Sequence, residues 1–473
     1  MTRARRTGPA IPPSFAITLV LLVFLARSVV AADGPPKARD RDPMIEAILG
    51  EVSEARIKTR IERLAGFGTR HTLSDPAPED RGIGAARRWI KAEMERSAAA
   101  SGGRMTVRFD AFTQPKGRRV PEPTEVVNVV ATLPGRQPES AGRWIVIGGH
   151  YDSIPTIRGD ETDVKSDAPG ANDDASGTAV VMELVELFAS REFDATLIFV
   201  AFAGEEQGLL GSTHFAEAAK ADGREVQAII TNDIVGNTEG GDGRRDNRTI
   251  RVFSEGIPGL DSPLASRLRA VGGENDGGSR QFARFVRETA ERYTPDFRAR
   301  MVFRPDRYLR GGDHLPFAQR GYPAVRFTEP AENFSRQHQD VRVEGGVAFG
   351  DVVSGVDIPY VASVARLNAA VAASLALAPA SPAGVTIETR RLEYDTTLAW
   401  SPSKAPDIAG YEVVWRDTTA PDWEHAREVG AETRVTLKGL SKDDYHFGVR
   451  AIDSAGHRSP VSFPLPPVRG ERP

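Results

Sequence analysis

Five short segments gather histidines and carboxylates in a pattern that suits a metal centre. They read Gly149-His150-Tyr151-Asp152-Ser153, Gly170-Ala171-Asn172-Asp173-Asp174-Ala175-Ser176-Gly177, Ala203-Gly204-Glu205-Glu206-Gln207-Gly208, Asn232-Asp233-Ile234-Val235-Gly236 and Gln337-His338-Gln339-Asp340. Imidazole nitrogen and carboxylate oxygen are ligands for borderline cations such as Zn²⁺, and a hydrolytic centre keeps one position open for water or substrate. Two histidines and three carboxylates, one of them shared, suffice for a pair of ions. Such a pair clamps both the attacking and the departing atoms of a hydrolysis and acidifies the water between them. The chain contains no cysteine, which excludes thiolate ligands, a thiolate nucleophile and a disulfide framework.

The elements around these segments explain how they can meet. His150 follows the apolar run Trp144 to Gly148, Glu205 and Glu206 follow Ala195 to Phe202, and Asp233 follows Val226 to Thr231. In open α/β sheets the carboxyl ends of the strands line the ligand crevice, so polar residues delivered there converge. Asp173 sits in a loop flanked by glycines ahead of a helix expected from Thr178 to Ser190, and glycine lets the backbone carry a carboxylate close to the others. Further strand runs are Val126 to Ala131 and Ala324 to Thr328. Helical periodicity marks Met44 to Leu64, Gly84 to Met94, Leu209 to Lys220 and Tyr360 to Leu375. The alternation predicts an α/β fold with a mixed, mostly parallel central sheet flanked by helices. The charged, partly helical stretch Ser266 to Tyr308 interrupts the strand rhythm and is expected to be a lid or a substrate-side insertion.

At 473 residues, with 40% hydrophobic and 27% charged residues, the chain has the composition of a soluble globular protein of two or three domains. Its net charge of -4 gives no reason to expect nucleic acid as a partner. Arg3, Arg5 and Arg6 precede an apolar run from Phe15 to Ala26 and the small residues around Ala31 and Ala32. That layout reads as a secretory signal over residues 1–32, and it predicts an exported protein, extracellular or periplasmic, without a stable membrane span after cleavage. The catalytic unit is then expected over residues 33–378. A Pro/Ala linker follows, and residues 379–473 change texture to short alternating strands, with Trp400 placed as a core aromatic. This part resembles a fibronectin type III module, an all-β sandwich whose expected role is a spacer or a platform for another protein or a surface.

In order and spacing, the five segments resemble the motif set of the dinuclear zinc exopeptidases that include secreted bacterial leucyl aminopeptidases. The resemblance covers roughly residues 45 to 378 and implies two Zn²⁺ ions. One would be held by His150, Asp233 and a bridging Asp173, the other by Glu206, His338 and the same Asp173. Glu205 matches the general base, and Asp152 matches the carboxylate that orients the His150 ring. Asp174 follows the bridging residue across a peptide bond that is cis in that family. Asp313 and His314 lie in a further motif expected beside the site or against substrate. The implied activity is removal of N-terminal residues from peptides with a free amine. Many relatives carry Tyr directly before the last histidine, where its hydroxyl stabilises the oxyanion; this chain has Gln337, so the donor is sought among Gln337, Tyr308 and Arg310. Alternatives are a carboxypeptidase or other relative using the same centre, for which the arginines around Arg304 to Arg310 speak, and a non-catalytic binding protein. The intact Glu205 and ligand set speak against the latter.

Overall fold

The computed structural model describes residues 41–155, 162–259 and 262–467. The signal-type segment 1–32 lies outside them. An eight-stranded sheet forms the centre: β1 (Thr106–Gln114), β2 (Thr124–Leu133), β3 (Arg143–His150), β4 (Thr196–Phe202), β5 (Glu225–Asn232), β6 (Thr249–Phe253), β7 (Arg298–Val302) and β8 (Ala324–Thr328). The spatial order is β1-β2-β4-β3-β5-β8-β6-β7. The middle strands β4, β3, β5 and β8 run parallel, as do β6 and β7, while β1, β2 and the β8/β6 pair are antiparallel. The expected mixed, mostly parallel sheet is therefore present.

The middle strands form because they are continuous β-branched and aromatic runs that can be buried on both faces. One face of the sheet carries Ile145, Ile147, Phe199 and Ile230. Against it pack α1 (Pro43–Gly50), α2 (Glu54–Ala65), α3 (Gly82–Ala98), α4 (Ala175–Phe188) and the long apolar α9 (Ile358–Leu377). The other face carries Val146, Ile198, Val200 and Ile229 under α5 (Leu210–Ala221) and the short α8 (Leu315–Gln319). α9 is long and apolar enough to span a membrane, yet it fills the core beside α4.

The structure adds detail that the sequence reading lacked. The helical spacing from Met44 to Leu64 resolves into two helices: the chain breaks after α1, and the Ser53 hydroxyl restarts it as the N-cap of α2 by accepting from the Arg56 amide at 3.3 Å. The stretch Ser266 to Tyr308, expected to be partly helical, supplies the end of α6 (Pro263–Arg269), α7 (Gly278–Tyr293) and also the edge strand β7. The edge strands β1 and β7 keep one wet face and the short β6 beside β7 is interrupted by Arg251, so all three lack the long apolar runs that mark the middle strands.

Beyond α9 lie two small antiparallel sheets. One pairs Thr386–Ile387, Thr396–Ala399 and Arg434–Leu437; the other pairs His425–Gly430, Ile408–Asp417 and Tyr445–Asp453. They close over Leu398, Trp400, Val413, Trp415, Leu437 and Phe447. This unit is fastened to the rest through charge: Asp276, wholly buried, pairs with Arg416 at 2.8 Å and with Arg284 at 2.9 Å, and Arg450 pairs with Glu288 at 2.7 Å.

Candidate metal centre

The carboxyl ends of three adjacent parallel strands deliver the residues singled out above: His150 ends β3, Glu205 and Glu206 follow β4, and Asp233 follows β5. Asp173 arrives from the loop before α4, which must approach the sheet closely. A Cβ at Gly149 would lie 2.8 Å from the Gly177 carbonyl carbon, and one at Gly177 would lie 2.2 Å from the Asn232 oxygen. Only glycine at both positions lets the start of α4 seat between β3 and β5. Asp174 then staples that junction, accepting from the His150 amide at 3.0 Å and, as N-cap of α4, from Gly177 at 2.9 Å. The peptide bond between Asp173 and Asp174 is cis.

Asp173 stands between the two histidines. Its Oδ1 is 3.1 Å from His150 Nε2 and its Oδ2 is 3.1 Å from His338 Nε2. Asp233 Oδ1 lies 3.9 Å from His150 Nε2, and Glu206 Oε1 lies 3.7 Å from His338 Nδ1. Donor atoms of His150, Asp173 and Asp233 fall within 4.8 Å of one another, as do those of Asp173, Glu206 and His338. The two triads share Asp173. A third grouping, His150 with Glu205 and Glu206, places Glu205 beside both. The donors are nitrogen and oxygen only, in two overlapping triads, which fits a pair of borderline divalent cations.

Electrostatics support the same fit. Burial, together with Asp233, Asp313 and Asp173, pushes the Glu205 carboxyl well above the ordinary carboxylate range, with His150 opposing. Burial and Asp173 do the same to Glu206. Burial lifts Asp313 to about 7 against the pull of His150 and the Ser212 hydroxyl. Asp173 goes the other way, because His338 and His150 outweigh its burial, and Asp233 is lowered because Arg326 does. A pocket whose carboxylates resist ionisation holds an excess of negative charge that bound cations would relieve.

Asp152 organises the centre from behind. Its backbone oxygen is 3.2 Å from His150 Nδ1 and its Oδ1 is 3.5 Å away. The same carboxylate accepts the Glu205 and Glu206 amides at 3.2 and 3.1 Å and the Thr72 hydroxyl at 3.0 Å. His338 and Ile234 adopt left-handed backbone, with φ of 48° and 53°. That conformation is uncommon for non-glycine residues and costly for a β-branched one, so the surrounding structure must enforce it.

The remaining expected residues divide. Gln337 is buried beside His338, and its amide nitrogen has no hydrogen-bond partner among the described residues. Tyr308 is 73% exposed, and it and Arg310 line a separate arginine-rich cleft. His314 reaches the centre only indirectly: its Nε2 is 2.6 Å from the Pro305 oxygen and 3.7 Å from Asp306. Sequence reasoning missed three buried organisers. Glu329 accepts from Asn172 Nδ2 at 3.0 Å and from the Gly236 and Asn237 amides, tying the Asp173 and Asp233 loops together. Asp351 accepts from the Asp173 amide at 2.7 Å. Arg326 lies 2.9 Å from Asp233. Glu329 follows β8 just as Asp233 follows β5, a signal that was readable, and Arg326 is a charge inside an apolar strand run. Asp351 has no such signal.

Comparison with known proteins agrees with this geometry. Residues 128–342 match the profile of Peptidase family M28. A probable zinc metalloprotease of Leptosphaeria maculans is 47% identical over 89% of this chain and 97% of its own length. Another, from Pyricularia oryzae, is 46% identical over 90% of this chain and 85% of its own length. Among solved structures, LapA of Legionella pneumophila aligns with a TM-score of 0.51 at 20% identity, covering 72% of this chain and 78% of LapA. LapB from the same organism gives 0.51 at 19%, covering 73% and 78%. At such identity the solved structures speak to the fold, while the relatives near half identity along almost the whole chain speak to kinship. The chain belongs to peptidase family M28, and its relatives near half identity are described as probable zinc metalloproteases.

Proposed function

We propose that this chain is an exported aminopeptidase that removes N-terminal residues from peptides with two Zn²⁺ ions, the first held by His150, Asp173 and Asp233 and the second by Asp173, Glu206 and His338. The observation that carries the reading is the Asp173 carboxylate, one oxygen turned to each histidine at 3.1 Å. When bound, the ions supply Lewis acidity and an acidified water. Glu205, grouped with His150 and Glu206 beside the two triads, would take the proton from that water and pass it to the leaving amine. Asp152 holds the His150 ring and pins the Glu205 and Glu206 amides, so the base and a ligand move as one unit. Gln337 supplies an amide donor for the developing oxyanion. The Glu205 and Asp313 carboxyl groups, close to one another beside the ligands, would accept hydrogen bonds from a substrate ammonium. LapA, whose fold is shared, is described as an aminopeptidase.

Export rests on the layout of residues 1–32, which leaves residues 33–378 as the peptidase unit. The two small sheets of residues 379–473 are read as a fibronectin type III-like platform, with Trp400 in their core and none of the centre's ligands among their residues.

Aminoacyl chromogenic amides and their N-blocked counterparts, assayed with chelator and after zinc is restored, test the reading. Cleavage of the free-amine series that is lost on chelation and regained with zinc is expected, together with about a hundredfold or greater fall in kcat for Glu205→Gln at unchanged metal content. Hydrolysis confined to blocked peptides rejects it. The arginine-lined cleft favours a second reading, a carboxypeptidase; in that case C-terminal amidation abolishes cleavage.

A further inference from the structure

Strands β6 and β7 pair in parallel with Arg251 level with Arg300 and Phe253 level with Val302. Alternation sends these four side chains to one face and Ile250, Val252 and Ala299 to the core. The turn after β7 folds over the polar face, adding Arg304, Arg307, Tyr308 and Arg310. With Arg244 and Phe334 these residues bound a cleft of about 560 Å³.

Its charge is one-sided. Glu332 is the only acid in the lining, and it is already shared between Arg251 at 2.5 Å and Arg307 at 3.0 Å. Arg244 leans toward Asp242 at 3.7 Å. Arg300, Arg304 and Arg310 have no acidic partner among the described residues, and the Arg304 guanidinium lies 5.1 Å over the Tyr308 ring. Guanidinium forks match carboxylates, and a concave site lined by one sign of charge concentrates the opposite sign.

A chain of buried contacts links the wall of the cleft to the metal centre. The Arg307 amide donates to Asp306, Asp306 pairs with Arg326 at 3.0 Å, and Arg326 reaches Asp233 at 2.9 Å. On the other side, a methyl group at Gly311 would lie 4.0 Å from Leu209, at the end of the loop that carries Glu205 and Glu206.

We propose that this cleft receives a carboxylate-rich segment of the substrate, so that the enzyme prefers acidic peptides; the inference rests on the peptidase reading above. A single terminal carboxylate occupies one guanidinium fork, whereas three unpartnered arginines suit several carboxylates in a row. Exposed Tyr308 and Phe334 give apolar contact to the methylene stems of such residues. A cleft of that size fits a short acidic peptide rather than nucleic acid or a long sulfated glycan.

The test compares kcat/KM for a C-terminally amidated peptide carrying three glutamates after its first residues with that for its glutamine twin and for an aminoacyl chromogenic amide. It uses the full chain and its Arg300→Gln/Arg304→Gln variant. The wild type is expected to favour the glutamate peptide about tenfold at low salt, with the preference fading as ionic strength rises. The variant loses most of that preference and stays within about twofold of wild type on the chromogenic amide. Hydrolysis of both peptides at equal efficiency, or a preference that survives in the variant, overturns the inference and leaves the peptidase reading intact. Calorimetry with N-acetylated oligoglutamate amide forms a second arm: binding weakened by the double substitution supports the cleft even where no peptide is hydrolysed, an outcome that would sink the peptidase reading instead. Tighter binding of single-stranded DNA or a sulfated oligosaccharide at the same arginines overturns the peptide assignment.

Discussion

The Arg326 guanidinium lies 2.9 Å from the Asp233 carboxylate, and its other amine contacts Asp306 at 3.0 Å and the Gly311 oxygen at 2.6 Å. A fully buried arginine thus couples a candidate zinc ligand to the loop that walls the arginine cleft. Replacing Arg326 with Met leaves Asp233 and Asp306 buried without their partner, at a cost of about 3–5 kcal/mol. Bound zinc neutralises Asp233, so the loss is expected to be largest in chelator-treated protein and smaller with zinc. Thermal unfolding under both conditions checks this; an equal drop in both would separate Arg326 from the metal ligand.

Metal content should follow the sharing of Asp173. Asp173→Asn weakens both triads, whereas His338→Ala touches only the one it shares with Glu206. Elemental analysis after dialysis is expected to find about two zincs per chain in wild type, about one in His338→Ala and fewer than one in Asp173→Asn. Equal content in the two variants would show that Asp173 does not bridge.

Gln337 offers a buried amide donor without a partner in the free protein. Gln337→Ala is expected to lower kcat by about tenfold or more with KM little changed, the pattern of a contact made only in the transition state. Tyr308→Phe, at an exposed position, should leave kcat within about twofold. The reverse result from steady-state kinetics would move the oxyanion donor to the tyrosine.

His457 latches the C-terminal unit to the start of α1. Its Nδ1 is 2.7 Å from Asp453 and its Nε2 is 3.0 Å from Asp42, the N-cap of α1. Burial pulls the His457 pKa down, but the hydrogen bonds to Asp453 and Asp42 prevail and hold it above 6.5. Asp42 is held below 3.8, since His457 and the Ile45 and Met44 amides outweigh its burial. A raised histidine stabilises fully below its unfolded value of 6.5 and stops doing so as pH climbs through the folded value. A lowered aspartate stabilises above 3.8 and stops as pH falls through its folded value. The latch is therefore strongest from about pH 4 to 6.5. His457→Phe should lower the unfolding midpoint by about 2 °C or more at pH 5.5 and by much less at pH 8.5. A pH-independent loss would indicate packing rather than charge.

The chain order alone determined the sheet's middle and which histidines and carboxylates gather at its carboxyl end. β3, β4 and β5 are apolar runs bounded by polar residues, and that abrupt change is both what buries a strand on two faces and what places His150, Glu205, Glu206 and Asp233 at its carboxyl end. The approach of Asp173 was readable too, because the glycines around it serve a contact no larger residue permits. The edges were not. β1 and β7 keep one face in water and β6 is short and broken by Arg251, so charge interrupts their apolar pattern, and the strand within Ser266 to Tyr308 went unseen.

Only the tertiary structure decided which residues hold the ligands in place. Arg326, Glu329 and Asp351 lie far along the chain from Asp233, Asn172 and Asp173, and their value comes from burial that removes water as the competing partner, a property of the packed molecule. The same holds for the arginine cleft: Arg251 and Arg300 are ordinary surface residues until the pairing of β6 with β7 brings them level and the following turn closes over them.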